Sequence, residues 1–270
     1  MRGEDLRNRI VAREVVLGKD VVIEHGVTIS GNGGPAERIV LGDNVYIGEN
    51  CKIRTPVLEI GDFTQIHNHG LIYGLKPIRI GHNGWFGQNT ILNATESLTI
   101  GDNCGVGAYS QLWTHIAYGD VMEGSRFHSA KPMTIGKDVW FVGHCIVSPI
   151  VAKDRSMAMV GAVITRDMQE NRLYAGCPAK DVTDKLGAPF SPTTVEQKLS
   201  YVQARLEEFA QRSTDWKPGE IGISAGGSVI VPGETLFDVV DRTYNKRRTA
   251  TEVAFMRFLL PEAKFTPCEP

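Results

Sequence analysis

Several features are missing from this sequence, and each absence excludes a class of protein. The 270 residues contain no apolar run near the roughly 20 residues that cross a bilayer as a helix. Residues 1–10 lack the apolar core of a secretory signal. A net charge of −2 without a dense basic run gives no reason to expect nucleic-acid binding. We therefore expect a cytoplasmic protein with no membrane span and no nucleic-acid partner.

Cysteine is also scarce and scattered. The five cysteines form no Cys-x-x-Cys pair, and an odd number cannot be fully paired in disulfides. This pattern indicates reduced thiols in a reducing compartment. We expect Cys51, Cys104 and Cys145 to be buried as small core side chains.

The strongest pattern in the sequence is an apolar repeat between Leu41 and Val147. An aliphatic residue followed by glycine recurs, with further apolar residues five and eleven positions after the glycine. Six-residue repeats predict a parallel β-helix, a coil with three flat faces in which each short strand points one apolar side chain inward. The repeat glycines are Gly18, Gly42, Gly61, Gly81, Gly101 and Gly136.

The spacing of these glycines locates two insertions in the coil. Steps of 19 or 20 residues correspond to one turn, and the first step of 24 contains extra residues at 30–38, which we interpret as a corner loop. The step of 35 from Gly101 to Gly136 predicts a projecting loop at about 113–132. Long loops on regular scaffolds are usually functional or disordered, so this loop is a candidate wall of a site.

The repeat ends before the C-terminus. One last turn fits with Ala152, Ala158 and Ile164 inward, and the Gly-Pro stretch 173–182 closes the pattern. We therefore assign 1–185 to the β-helix domain and 186–270 to a C-terminal extension.

The extension is predicted to be a helix followed by a small mixed α+β region. Thr193 and Glu196 form a possible capping box, and apolar residues at helical spacing continue to about Gln211. The other segments predicted there are strands at 221–223, 229–231 and 235–244 and a helix or strand at 251–260.

His115 is the leading candidate for catalysis. It lies fourteen residues after Gly101, at the corner beyond the third face, where the predicted loop leaves the coil. Imidazole exchanges a proton near neutral pH, which suits a general base. On these grounds alone, a corner histidine without a catalytic role remains the alternative.

The run from about 80 to 182 resembles the hexapeptide-repeat acyltransferases, especially the galactoside, maltose and xenobiotic acetyltransferases. The resemblance is carried by LWTH at 112–115, TIGKDVW at 134–140, VITRD at 163–167 and AGCPAK at 175–180. It implies a left-handed parallel β-helix, acetyl-CoA as co-substrate without a metal, and a homotrimer with each active site between two subunits. None of these follows from the spacing itself.

The resemblance also implies the chemistry. His115 would remove a proton from a hydroxyl or amine of a sugar or saccharide precursor, which then attacks the thioester. The backbone N–H of Gly143 is a candidate donor to the oxyanion. The implied cofactor-binding residues are Trp140 and Gly161 beside the pantetheine arm, and Thr165, Arg166 and Lys180 near the nucleotide end.

The ladder of turns suggests two residues that contact the acceptor. Thr95 precedes His115 by one turn, and strands stack about 4.8 Å apart, so the adjacent Glu96 could orient His115 or contact a sugar hydroxyl. Asn89 is our candidate for a hydrogen bond to the acceptor, the alternative being an asparagine that only shapes a corner. It belongs to a column eight residues after each glycine: Asn50, His69, Asn89, Tyr109 and His144.

Two other functions are compatible with such a coil. A γ-type carbonic anhydrase needs three histidines around zinc with an open fourth position, and His67, His69 and His144 would have to converge. A non-catalytic scaffold would leave the combination of His115, Trp140 and Lys180 without a role. We favour an acyl-CoA-dependent O- or N-acetyltransferase acting on a saccharide or nucleotide-sugar acceptor, as in polysaccharide biosynthesis.

Overall fold

The computed structural model of the chain describes residues 9–227 and 232–268 and confirms the predicted mostly-β fold. The chain divides into two compact units between Phe190 and Ser191. The first is a coil of short parallel strands, and the second contains two helices and a four-stranded sheet. In the part of the chain described, no helix is long and apolar enough to cross a bilayer.

The coil is built from strands that occupy its first, second and third faces in turn. Up to the projecting loop these are β1 (Ile10–Leu17), β2 (Val22–Ile23), β3 (Thr28–Ser30), β4 (Ala36–Leu41), β5 (Tyr46–Ile47), β6 (Lys52–Arg54), β7 (Val57–Ile60), β8 (Gln65–Ile66), β9 (Leu71–Gly74), β10 (Ile78–Ile80), β11 (Trp85–Phe86), β12 (Ile91–Ala94), β13 (Leu98–Ile100), β14 (Gly105–Val106) and β15 (Gln111–Trp113).

The projecting loop is a hairpin of β16 (His115–Ala117) and β17 (His128–Ala130), which pair antiparallel. The coil then resumes, and its end is closed by an antiparallel pair of strands and a short helix. These elements are β18 (Met133–Ile135), β19 (Trp140–Phe141), β20 (Ile146–Val147), β21 (Val151–Ala152), β22 (Met157–Ala158), β23 (Val163–Ile164), β24 (Leu173–Gly176), β25 (Ala179–Asp181) and α1 (Thr183–Leu186).

Successive turns stack in exact register, which aligns the inward side chains. Ile80, for example, is opposite Ile60 of the preceding turn and Ile100 of the following turn. The predicted inward residues from Ile23 to Ile164 form one buried core, including Ala152 and Ala158 of the last turn. Burial of this stack is the main source of stability, because apolar area removed from water contributes about 25 cal/mol per Å².

Two details at the N-terminal end of the coil differ from the prediction. Leu17 is 38% exposed, because its part of β1 pairs only with β4 and no earlier turn covers it. The first insertion is shorter than 30–38, because residues from Ala36 onward already pair with β1. The remaining loop folds along the coil, where Asn32 Nδ2 donates to the carbonyl of Gly74 at 2.5 Å.

The helix of the second unit is α2 (Val195–Arg212), and its capping box differs from the predicted one. Thr194 Oγ1 accepts from the Gln197 N–H at 3.2 Å, and Gln197 Oε1 accepts from the Thr194 N–H at 2.9 Å. The prediction of Thr193 and Glu196 was wrong by one residue. Consecutive threonines each have a suitable partner three positions later, so the spacing could not distinguish the two boxes.

The sheet of the second unit has the order β26 (Ile221–Ser224), β27 (Thr235–Asp238), β28 (Thr243–Asn245) and β29 (Thr266–Cys268), with α3 (Ala250–Leu259) before the last strand. The strand predicted at 235–244 is therefore two strands. They are joined by a turn in which Asp238 Oδ1 accepts from the Val240 N–H at 2.8 Å. The segment 251–260 is helical, and the strand predicted at 229–231 lies outside the described residues.

The burial of the cysteines gives a test of the fold. Cys51, Cys104 and Cys145 are buried as predicted, whereas Cys177 and Cys268 are exposed, and all five are free thiols. Burial raises the pKa of Cys104 to about 12 and also raises the pKa of Cys51. Because the thiolate is the reactive form, a raised pKa keeps both thiols protonated and inert at mildly alkaline pH.

We expect a disulfide reagent at mildly alkaline pH to modify Cys177 and Cys268 rapidly and the other three thiols only after denaturation. Peptide mass spectrometry after brief labelling identifies the modified positions. Rapid labelling of Cys104 in the native protein would contradict the buried stack.

Candidate functional site

His115 lies at the base of the hairpin, immediately after the last in-register residues of the third face. Its ring is half-buried and meets the Trp113 ring edge-on, with centroids 5.9 Å apart. The hairpin partner of His115 is Ala130. The imidazole is thus held between the rigid coil and the projecting hairpin.

The proton of the His115 ring is assigned by its neighbours. Nδ1 lies 2.8 Å from Asn93 Oδ1 and 3.0 Å from Thr95 Oγ1. The same Asn93 atom accepts from the backbone N–H of Thr95 at 3.3 Å, so it must be the amide oxygen and not the nitrogen. An oxygen that can only accept requires a proton on Nδ1. In the neutral ring, Nε2 of His115 is therefore the nitrogen that keeps the lone pair.

The amide oxygen of Asn93 is the centre of a buried polar network. Besides the contacts to His115 and to the Thr95 N–H, it accepts from the Thr95 and Thr114 hydroxyls, each at 3.2 Å. Thr114 is buried, and its Oγ1 in turn accepts from the Glu96 N–H at 3.1 Å. Buried polar networks rigidify a structure when every member is satisfied. This one joins the base of the hairpin to the preceding turn.

Asn93 was not predicted from the sequence. It follows the inward Leu92 and so points away from the core, yet it is only 1% exposed. Its partners in register are Tyr73 and Trp113, whose rings lie 6.5 Å apart and nearly perpendicular. An asparagine inside a strand, where the residue is disfavoured, was the available signal.

The two predicted acceptor contacts lie at different corners. The half-buried Glu96 carboxylate has no hydrogen bond or ion pair within residues 9–227 and 232–268, so it does not orient His115 in this way. The groups that contact Nδ1 of His115 are those of Asn93 and Thr95. Asn89 has a φ of 57°, and the whole column of Asn50, His69, Asn89, Tyr109 and His144 adopts this left-handed conformation. The left-handed backbone conformation of this corner is by itself a sufficient reason for an asparagine at position 89, whether or not Asn89 also binds a ligand.

Trp140 lies on the outer side of the second face. Its partner in register on the preceding turn is Gly105, and a Cβ on Gly105 would come within 2.8 Å of Trp140 Cδ1. The absence of a side chain at 105 lets the indole pack over the backbone of the preceding turn. Trp140 is still 47% exposed, so much of the ring is available to another molecule.

Gly143 and Gly161 lie next to each other at the corner between the second and third faces. The Gly161 N–H donates to the Gly143 carbonyl at 2.9 Å, and among described residues the Gly143 N–H has no acceptor. At the same corner of an earlier turn, the Glu49 N–H is capped by Asn68 Oδ1 at 3.0 Å. Gly161, with a φ of +72°, is exposed and provides a left-handed corner with no side chain.

The predicted residues of the nucleotide end are brought together. Thr165, Arg166 and Lys180 line one cavity of about 290 Å³. Both cations are exposed, and neither forms an ion pair with any described residue. Hydrogen bonds from Thr183, aided by the charge of Arg172, lower the pKa of Asp181, which also lines the cavity. The cavity therefore combines two unpaired cations with two carboxylates, those of Asp167 and Asp181.

The histidines considered for zinc do not form a metal site. Within the described part of the chain, no group of three or more His, Cys, Asp or Glu side chains could hold a metal ion. His67 instead lies between the rings of Tyr46 and Trp85, at 5.9 and 5.2 Å. Burial lowers the pKa of His67.

No family model matches the chain, but five curated proteins do, and two of them show what the chain resembles. Galactoside O-acetyltransferase of Escherichia coli strain K12 is 26% identical over 141 residues, covering 51% of this chain and 63% of that protein. Bifunctional protein GlmU of Cupriavidus pinatubonensis is 27% identical over 187 residues, covering 60% of this chain and 38% of that protein. The chain thus spans less than two thirds of either relative. These relatives confirm the predicted resemblance to hexapeptide-repeat acyltransferases.

Solved structures are also similar, at a lower sequence identity, and two of them serve as examples. AntD, an N-acyltransferase from Bacillus cereus in complex with dTDP and 3-hydroxybutyryl-CoA, has a TM-score of 0.49 and 15% identity, covering 75% of this chain and 96% of that one. The polySia specific acetyltransferase NeuO has a TM-score of 0.44 and 16% identity, covering 76% and 91%. The fold assignment rests on the strand pairing and not on these likenesses.

Replacing Asn93 with alanine removes the oxygen that accepts from Nδ1 of His115, so the ring should no longer be restricted to the Nδ1–H tautomer. We expect nitrogen-edited NMR of the histidine rings to show the Nδ1–H tautomer in the wild type and a mixture of tautomers in Asn93→Ala. Asn50→Gly is the matched control, since glycine keeps the left-handed corner far from His115. A wild-type ring protonated on Nε2 would overturn the assignment.

Proposed function

We propose that the protein is an acyl-CoA-dependent acetyltransferase that transfers an acetyl group to a hydroxyl or amine of a saccharide. The observation that carries the proposal is His115, held in one tautomer with a free Nε2 at a rigid corner. The galactoside O-acetyltransferase relative supports the reaction class, because its similarity extends over half of this chain.

The proposed reaction is direct transfer with His115 as general base. Nε2 takes the proton from the acceptor, whose oxygen or nitrogen attacks the carbonyl carbon of the thioester. The tetrahedral intermediate then collapses, the carbon–sulfur bond breaks, and the imidazolium returns its proton to the leaving thiolate. Throughout, the Nδ1–H donates to Asn93 Oδ1, which stabilises the charged ring without accepting a proton.

The oxyanion requires a donor, and we propose the Gly143 N–H for this role. It is preorganised at the corner and has no acceptor among described residues, as a donor to a transition-state oxygen should be. Trp140 begins the strand before the same corner and would pack along the pantetheine arm. Gly161 on the next turn would allow the arm to pass close to the backbone.

A second copy of the chain is needed to complete this site. Gly143 lies before the third face and His115 after it, so a third-face strand separates the two corners within one chain. Gly143 lies seven residues and His115 fourteen residues after the glycine of its turn. At about 3.3 Å per residue, the seven residues between these positions span up to roughly 23 Å, too far for both groups to act on one thioester. We therefore propose a homotrimer in which the His115 corner of one subunit faces the Gly143 corner of the next.

For the acceptor we propose contacts to Glu96 and Asn89, placed by the same trimer geometry. Glu96 lies on the His115 side of the site and would contact an acceptor hydroxyl. Asn89 lies on the Gly143 side, two turns earlier, and would reach the acceptor from the neighbouring subunit. The zinc enzyme and the scaffold, considered from the sequence, have no observation in their favour.

His115→Ala should reduce acetyl transfer by about 10²–10⁴-fold, because general-base catalysis typically contributes that much. Thiol release from acetyl-CoA with a panel of amino- and hydroxy-sugars measures the rate. Calorimetry should show unchanged CoA binding. His128→Ala, an exposed histidine on the other strand of the hairpin, is the control.

Mixing two variants, each impaired in a different corner of the site, tests the shared site. Co-refolded His115→Ala and Trp140→Ala chains should regain part of the activity, because some interfaces combine a wild-type His115 with a wild-type Trp140. A monomer by sedimentation, or full activity of His115→Ala, would contradict the proposal.

Arg166→Ala and Lys180→Ala should each raise the KM for acetyl-CoA by about tenfold or more, since hydrogen bonds to charged groups contribute about 1.5–3 kcal/mol. The turnover number should change little, and transfer from acetyl-pantetheine, which lacks the nucleotide, should be unaffected. Lys185→Ala, an exposed lysine in α1 outside the cavity, is the control. An equal rise in the KM for acetyl-pantetheine would show that Arg166 and Lys180 do not act by binding the nucleotide of CoA.

A further inference from the structure

We propose that the trimer binds one tetrahedral oxyanion, phosphate or sulfate, on its threefold axis, between the Lys52 and Arg54 side chains of its three subunits. This inference rests on the proposed function, of which the trimer is a part. In that trimer the corners at both ends of the third face meet neighbouring subunits, so the face itself is turned to the axis. Side chains that point outward from the third face therefore approach their own copies in the other two subunits.

Most outward positions of the third face suit a surface that is covered by other subunits. Leu71 and Ile146 are 37% and 46% exposed in the single chain, and the rings of Tyr73 and Trp113 meet edge to face on the same surface. On the described third-face strands, from β3 to β23, no outward residue is an aspartate or a glutamate. Apolar and aromatic side chains with few charges are typical of the buried centre of a protein interface.

Lys52 and Arg54 are the exception. Both lie on β6, on either side of an inward residue, and they are the only charged residues that point outward on those described strands. Both are exposed, and neither forms an ion pair with any described residue. On the first face, by contrast, Arg38 pairs with Glu14 at 2.6 Å and with Glu59 at 3.5 Å. The coil thus balances outward charges on one face and leaves two cations unbalanced on another.

The geometry of the trimer brings both side chains to the axis. Lys52 and Arg54 lie ten and twelve residues after Gly42, near the middle of a face that runs from the seventh to the fourteenth residue of each turn. Three faces of up to roughly 23 Å, joined at their ends, enclose an axis that lies roughly 7 Å from each of them. Extended lysine and arginine side chains cover that distance, so six cations meet around the axis.

Six cations in this space require counter-charges. Unpaired charges removed from water are costly, and repulsion between like charges adds to that cost. The carboxylate nearest to them along the turn is that of Glu49, at the corner where the third face begins, and it too forms no ion pair with any described residue. Ion pairs of Arg54 with Glu49 of the neighbouring subunit would neutralise three of the six cations at most. A bound anion neutralises the remaining charge.

A tetrahedral oxyanion matches both the charge and the symmetry of this site. It has a threefold axis of its own, so it presents its oxygens identically to three guanidinium groups, each of which binds in bidentate fashion. On the adjacent turn, Thr28 and Ser30 are in register with Lys52 and Arg54, and their hydroxyls are further donors. Chloride carries only one charge and no oxygens, so the site favours phosphate or sulfate.

The number of anions bound per trimer tests the inference. Calorimetric titration with phosphate, in chloride buffer of constant ionic strength, should give one site per three chains, and sulfate should compete for it. The tighter of the two anions identifies the ligand. A phosphate held by Arg166 and Lys180 would instead give one site per chain and would be lost in Arg166→Ala, which should leave the axial site intact.

Arg54→Ala should weaken this binding by about tenfold or more, as expected for lost charge-assisted hydrogen bonds. Arg54→Lys, which keeps the charge but not the bidentate donors, should bind with intermediate affinity, and it replaces Arg54→Ala where that variant does not assemble. Lys19→Ala is the matched control and should bind phosphate as the wild type does. Lys19 is an exposed cation without an ion pair to any described residue, at the corner between the first and second faces.

A trimer that binds no phosphate or sulfate at millimolar concentrations overturns the inference and leaves the acetyltransferase proposal standing. The same holds for a site of one anion per trimer that survives Arg54→Ala unchanged. Loss of the trimer in Glu49→Gln, without any bound anion, would assign Arg54 to an ion pair between subunits. A monomer in sedimentation overturns the homotrimer and the inference together, whereas acetyl transfer is measured separately by thiol release.

Discussion

In-register stacking of the turns is the constraint on which the rest of the structure depends. A parallel strand that slipped by one residue would turn its core side chain to solvent, so the apolar residue of each hexapeptide fixes the register of every turn. Once the register is fixed, outward positions also align in columns. A residue on one turn then has defined neighbours on the turns before and after it, and the site is assembled from such neighbours.

The Asn93 network shows how a regular scaffold can position the group proposed to be catalytic. His115, the proposed base, is on an insertion, which by itself would be mobile, but its ring is hydrogen-bonded to the turn that precedes it. Tyr73 and Trp113, aligned by the same register, flank the amide and leave it almost inaccessible to water. Hydrogen bonds in such a low-dielectric setting are stronger than in water, so one tautomer persists.

The sequence was sufficient for the coil, because a six-residue period leaves one way to bury its apolar side chains. It also located His115, where the period fails. It could not reveal Asn93, because the partner of a histidine ring depends on side-chain rotamers across two turns. Thr193 and Thr194 were equivalent as helix caps, and the turn dividing 235–244 is set by Asp238 bonding to its own backbone. Each difference comes from a local hydrogen bond that no periodicity encodes.

The three corners of the coil differ in how freely they can be changed. Through residues 9–190, two corners recur in the left-handed conformation, which few residue types adopt readily. The third corner uses no such residue within the regular turns, and both the 31–35 loop and the hairpin leave the coil there. Insertions at this corner keep the register of the remaining turns. Insertions at this corner can therefore change the surroundings of His115, the proposed base, while the surfaces proposed to hold the acyl donor stay constant.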